Sequence, residues 1–137
     1  MKKVKRDNII VPYSLHDMNI CAIEREGDKI SLRTQSGIIK VDGLSEQVDG
    51  HVELNGLDFD FCHVWLMSTR IGYGEFSGRS MNLLDFIEEF PQFGFSVIDE
   101  VYGYNQTKYW GYLSSKRQTW ECIIEFYHLG DMYFVEE

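Results

Sequence analysis

Residues 70–80, Arg70-Ile71-Gly72-Tyr73-Gly74-Glu75-Phe76-Ser77-Gly78-Arg79-Ser80, come nearest to a binding loop in this 137-residue chain. They follow an apolar, strand-like run and precede a helix-like one. A strand, a glycine-rich loop and a helix start can cradle an anion, because backbone N–H groups converge there and the helix dipole favours negative charge. Arg70 and Arg79 add two cations. The spacing matches no phosphate fingerprint: no glycine is followed by four residues and then Gly-Lys-Ser/Thr, and Gly72-x-Gly74 lacks the third glycine at the dinucleotide offset. Glu75 opposes an anion. Two readings stay open: a crossover loop, or a loop that holds an anion or small molecule through Arg70, Gly72, Gly74, Gly78, Arg79 and Ser80.

Other chemistry-bearing types are present without a pattern. His51 and Glu53 lie on one side of Asn55-Gly56, and Asp58, Asp60 and His63 on the other. His63 is of opposite parity to the two aspartates, so the set does not converge as metal ligands, and no metal or other cofactor is expected. Cys21, Cys62 and Cys122 are odd in number, far apart and without a CxxC; they read as buried reduced thiols. No nucleophile elbow surrounds any serine or cysteine. The 22 acidic residues allow many carboxylate pairs but specify none. The expectation is a protein without catalytic residues.

Aromatic residues form the second feature. Ten lie between Tyr102 and Phe134. Trp110, Trp120, Phe126 and their neighbours suit the core of a small sheet. There are more rings than one buried layer holds, so some line a groove or an interface. Tyr102, Tyr104, Tyr109, Tyr112 and Tyr127 are the candidates, because tyrosine is enriched at interaction hot spots.

The elements that must position these residues are mostly strands. Residues 18–26 and 29–35 alternate around Gly27-Asp28 as a hairpin. A short strand at 38–41 precedes a loop-like stretch, 42–50. Asn55-Gly56 predicts a second hairpin, joining 51–54 to 57–68, because both residues tolerate the positive φ of a type I′ turn. From Phe61 to Met67 the strand is apolar on both faces, which implies a central strand covered on both sides. Leu83, Leu84, Ile87 and Phe90 make one stripe of a helix over 81–90, capped by Ser80 or Asn82 and ended by Pro91. Strands at 93–102, 107–113, 119–127 and 132–135 read as a meander. The expected class is α+β, a mainly antiparallel curved sheet or small open barrel carrying one helix, in a single domain spanning residues 1–137.

Charge limits the partners. The chain has 13 basic and 22 acidic residues, a net of −9. Lys2, Lys3, Lys5 and Arg6 lie in a basic N-terminal tail, residues 1–7. Without those four cations the remainder stands at −13. Such a body repels phosphate backbones and anionic membrane surfaces, so neither nucleic acid nor membrane is an expected partner. A basic protein suits it better. The basic start lacks the apolar core of a signal peptide, and no run is long enough to span a bilayer, so the expected location is cytoplasmic.

Ser14-Leu15-His16-Asp17-Met18-Asn19-Ile20, followed by Ile23 and by Glu26-Gly27-Asp28-Lys29-Ile30-Ser31-Leu32, resembles the opening of several small uncharacterised bacterial families. Some of these are similar to immunity proteins of toxin–immunity systems. The shared pattern is an apolar residue, His-Asp, an isoleucine two or three positions on, then a Gly-Asp hairpin. The resemblance covers residues 14–32 and implies a non-catalytic, protein-binding role with no catalytic residues.

Overall fold

The computed structural model describes residues 1–7, 9–41, 43–68 and 77–137. Among them the chain forms thirteen strands and one α-helix. In order these are β1 (Lys2–Lys5), β2 (Tyr13–Ser14), β3 (Asn19–Glu26), β4 (Lys29–Thr34), β5 (Ile38–Lys40), β6 (Glu46–Val48), β7 (Gly50–Leu54), β8 (His63–Met67) and β9 (Gly78–Asn82). Then come α1 (Leu83–Glu89), β10 (Gly94–Gly103), β11 (Gln106–Ser115), β12 (Gln118–Tyr127) and β13 (Met132–Glu136). No helix among the described residues is long and apolar enough to cross a membrane.

Ten strands make one antiparallel sheet in the order β1-β13-β7-β4-β3-β10-β11-β12-β8-β9, and β2, β5 and β6 make a small second sheet. The large sheet is open: its outer strands, β1 and β9, do not pair with each other. It is also nearly divided. β3 meets β10 only at Ile20–Phe95 and Asn19–Ser96. Beside that junction β10 carries a bulge between Val97 and Asp99, opposite Gly111. The extra residue bends the strand and strengthens its twist.

The inner faces of the two halves share one core. Ile20, Leu32, Val52, Leu54 and Phe134 come from the first half, and Val64, Leu66, Tyr109, Leu113, Ile124 and Phe126 from the second. The helix closes the core over β8 and β9 with Leu83 and Phe86, and Phe90 follows it, packed edge-on to Trp120 at 5.7 Å. Each fully buried side chain of this kind contributes about 1.5–3 kcal/mol.

The α1 cap is Asn82, whose side-chain oxygen accepts the N–H of Leu84 at 2.9 Å. The Gly27 turn and the β3–β4 hairpin form as the alternation requires. Four expectations fail. The basic start is not a tail: Lys2–Lys5 pairs with β13 as an edge strand, whose lysines discourage further pairing. Residues 42–50 include a strand, β6. Asn55-Gly56 is not a hairpin turn. β7 is buried along its whole length and pairs with β4 and β13, while the chain beyond Gly56 is redirected by a 3-10 turn at Phe59–Phe61. The C-terminal meander stops at β12, because β13 crosses to the other half to pair with β1 and β7.

Candidate interaction surface

Residues opposite each other in an antiparallel pair share a face. In the half built from β10, β11, β12, β8 and β9, the inner face holds the core and α1. The outer face is built by register. Trp110 pairs with Ile123, Ile123 with Trp65, and Trp65 with Ser80. One row along, Tyr112, Glu121, Met67 and Gly78 align; on the other side, Lys108, Glu125, His63 and Asn82 do. Further out lies Tyr127, whose ring is 5.7 Å from that of Phe61. At strand spacing, the backbones of Trp65 and Trp110 stand about 10 Å apart with Ile123 between them.

No helix or strand among the described residues lies over this face, since α1 packs on the other side through Phe86 and Phe90. Trp65, Met67, Trp110 and Ile123 are half-buried, and Tyr112 is 41% exposed. The β8 run was expected to be covered on both sides. Only the Val64 and Leu66 side is, and no element of the described residues covers the Trp65 and Met67 side.

Acidic groups flank the rings. The Trp110 Nε1–H donates to Glu121 Oε1 at 2.8 Å, which orients both side chains. Glu125 lies in the next row and exposed Asp99 opposite Trp110, with Lys108 as the cation of the face among the described residues. Indole faces attract cations and carboxylates pair with them, so a row of two tryptophans beside two glutamates is suited to arginine or lysine side chains.

The five tyrosines singled out from sequence separate. Tyr112 and Tyr127 belong to this face. Tyr104 is 87% exposed at the β10–β11 turn. Tyr109 is a core residue with no exposed surface, and Tyr102 leans on it, ring centroids 6.1 Å apart. Burial pushes both hydroxyls well above the usual tyrosine value, and the Tyr102 hydroxyl donates to Glu100 at 2.8 Å. Glu100 also accepts from the Ser14 hydroxyl, so these rings anchor β2 to β10 rather than a partner. Trp65, Met67 and Ile123 were missed as surface residues, and Trp110, expected in the core, lies on the outer face with them. The two-sided apolar run was visible, but nothing local says which face a distant helix will cover.

Arg70, Gly72 and Gly74 lie outside the described residues. Gly78, Arg79 and Ser80 are exposed on β9, a strand rather than a helix start. Arg79 forms a bidentate pair with Glu89, whose carboxyl is thereby held below its usual range, and its charge is satisfied. A cleft of about 510 Å³ does lie beside it, lined by Leu66, Ser68, Ser77, Gln118 and Trp120 among others. Cys21 is exposed and Cys62 and Cys122 buried, all three as free thiols. No group of three or more metal-ligating side chains is gathered among the described residues.

No family model, curated protein or solved structure matches this chain.

Proposed function

We propose that this chain is a non-catalytic interaction protein that binds a basic protein partner, as an immunity-type inhibitor does. The observation that carries the reading is the Trp110–Ile123–Trp65 row on a sheet face over which no helix or strand of the described residues lies, flanked by Glu121 and Glu125. Large aromatic side chains supply hot-spot energy, and the excess of acid supplies long-range attraction for a cationic surface. The net charge of −9 likewise favours a cationic partner. The free thiols favour a reducing, cytoplasmic setting. The resemblance of residues 14–32 to bacterial immunity-like families points the same way.

The test is affinity capture with the protein and with its Trp65→Thr/Trp110→Thr form. Basic proteins retained by the former, lost from the latter and associating more slowly as salt rises support the reading. Acidic partners, or salt-insensitive capture by both forms, overturn it.

A second reading places an anion or small molecule near Gly72–Ser80. The cleft beside Ser77 and Arg79 favours it. The Arg79–Glu89 pair weighs against an anion there, because a ligand would have to displace Glu89. Inorganic phosphate that shifts the Arg79, Gln118 and Trp120 resonances saturably supports this reading, and the absence of any such shift removes it.

A further inference from the structure

Arg6 is a buried cation without an acid. It is 8% exposed, and no carboxylate among the described residues forms an ion pair with it. Its three hydrogen bonds go to neutral acceptors: Nη1 donates to the Gln106 carbonyl and to Thr107 Oγ1, both at 3.2 Å, and Nη2 to the Gly103 carbonyl at 3.0 Å. A guanidinium has five N–H groups, and buried charges are ordinarily paired. No buried side-chain nitrogen or oxygen of the described residues lacks a partner. The Arg6 Nε–H, which donates to none of them, is therefore reached by solvent.

Arg6 lines two adjoining clefts of about 460 and 490 Å³. Exposed apolar side chains stand at their rims among the polar ones. Tyr104, Leu129 and Ile9 are 87%, 66% and 90% exposed, among the most exposed large hydrophobic side chains of the molecule. Besides Arg6 the clefts hold one cation and two carboxylates: Lys5 is 3.3 Å from Asp131, and Asp7, which accepts the N–H of Ile9, leaves one negative charge against the guanidinium. His128 donates its Nδ1–H to the Gly130 carbonyl at 3.0 Å, and its Nε2 lies 2.9 Å from Thr107 Oγ1; burial and Arg6 hold the ring's pKa below its ordinary value.

We infer that Arg6 anchors a binding site for a monocarboxylate with an apolar body, the carboxylate reaching the guanidinium and the body lying against Tyr104 and Leu129. A planar guanidinium edge matches a carboxylate. Asp7 and Asp131 make a dianion unwelcome, which selects carboxylate over phosphate monoester. The site lies away from the outer sheet face and does not depend on it. A free fatty-type acid and the C-terminus of an apolar peptide share this chemistry.

The experiment titrates the full chain with hexanoate, hexanol and hexyl phosphate while the backbone amides and the Arg6 Nε–H are followed by NMR. Hexanoate is expected to shift Arg6, Asn105 and Leu129 saturably, with hexanol and hexyl phosphate each weaker by roughly tenfold or more, the size of one lost charge-assisted bond. Tyr104→Ala, at an exposed position, is expected to weaken hexanoate severalfold at unchanged melting temperature. N-acetyl-Phe-Leu with a free carboxylate, set against its amide, separates the two sources: tighter binding than hexanoate assigns a peptide terminus, equal or weaker binding a free acid, and the amide should not bind in either case. Equal binding of hexanol and hexanoate, no saturable shift at Arg6, or no effect of Tyr104→Ala overturns the inference.

Discussion

Alanine at position 111 should destabilise the protein by about 2 kcal/mol, although alanine is ordinarily the better strand residue. A Cβ there would overlap the Ser96 carbonyl oxygen and stand 2.9 Å from its carbon and 3.2 Å from the Ile98 nitrogen. These are backbone atoms of the β10 bulge, so no side-chain rotation relieves the contact. Overfilling a packed site costs about 1–3 kcal/mol, and this case belongs toward the upper end. The entropic benefit of removing a glycine returns about 0.5–1 kcal/mol. At about 4 °C per kcal/mol for a chain of this size, the melting temperature falls by about 8 °C. Gly94→Ala is the control. Nothing lies within 4 Å of its Cβ and its φ is not positive, so it should stabilise by about 0.4–1 kcal/mol. Urea and thermal unfolding followed by circular dichroism measure both. A Gly111→Ala protein as stable as the parent, or two substitutions of the same sign, would refute the bulge and the register that sets Asp99 opposite Trp110.

Adjacent residues of β11 should differ sharply: Leu113→Ala, in the core, costs about 2–5 kcal/mol, and Tyr112→Thr, on the outer face, under about 1 kcal/mol by urea unfolding. Asn82→Ala removes the α1 cap and costs about 1 kcal/mol by the same measure. Burial and the Glu136 hydrogen bond push Tyr13 up to about 12, and Tyr102 and Tyr109 are also raised. Folded protein then keeps protons that unfolded chain releases above pH 10, so stability is full below 10 and falls as pH rises through 10–12, with Tyr13, Tyr102 and Tyr109 ionising on unfolding in a tyrosinate absorbance titration. Toward acid, burial and Arg6 hold His128 below its ordinary 6.5, so the unfolded chain takes up that proton first and stability falls as pH drops below 6.5. Glu53 adds a later loss: burial alone would raise it, but Lys3 and Lys29 outweigh burial and hold it below 4.5.

Local signals were legible and distant ones were not. The strand at 119–127 was legible, and its alternation separates Cys122, Ile124 and Phe126 from Glu121, Ile123 and Glu125, because period-two alternation depends only on neighbours. The helix stripe and the Asn82 cap were readable for the same reason. Asn55-Gly56 misled because its chemistry specifies a tight turn, not the partner of the strand before it. Here β4 and β13 occupy both edges of β7, and Gly56, at φ +63°, turns the chain against Gly130 instead. Tyr109 looked like its outward neighbours by residue type, yet its pairing with Ile124 turns it inward. The acid-free burial of Arg6 is set by contacts about a hundred positions away, which no local pattern encodes.

The central claim concerns the row of Trp65, Ile123 and Trp110. A basic protein captured by the full chain should be titrated back while hydrogen exchange is followed on β8, β11 and β12. Slowed exchange confined to these strands, lost in the Trp65→Thr/Trp110→Thr form and with an association rate that falls as salt increases, is the predicted result. Protection elsewhere with these strands unchanged, or equal binding by the double variant, would contradict it.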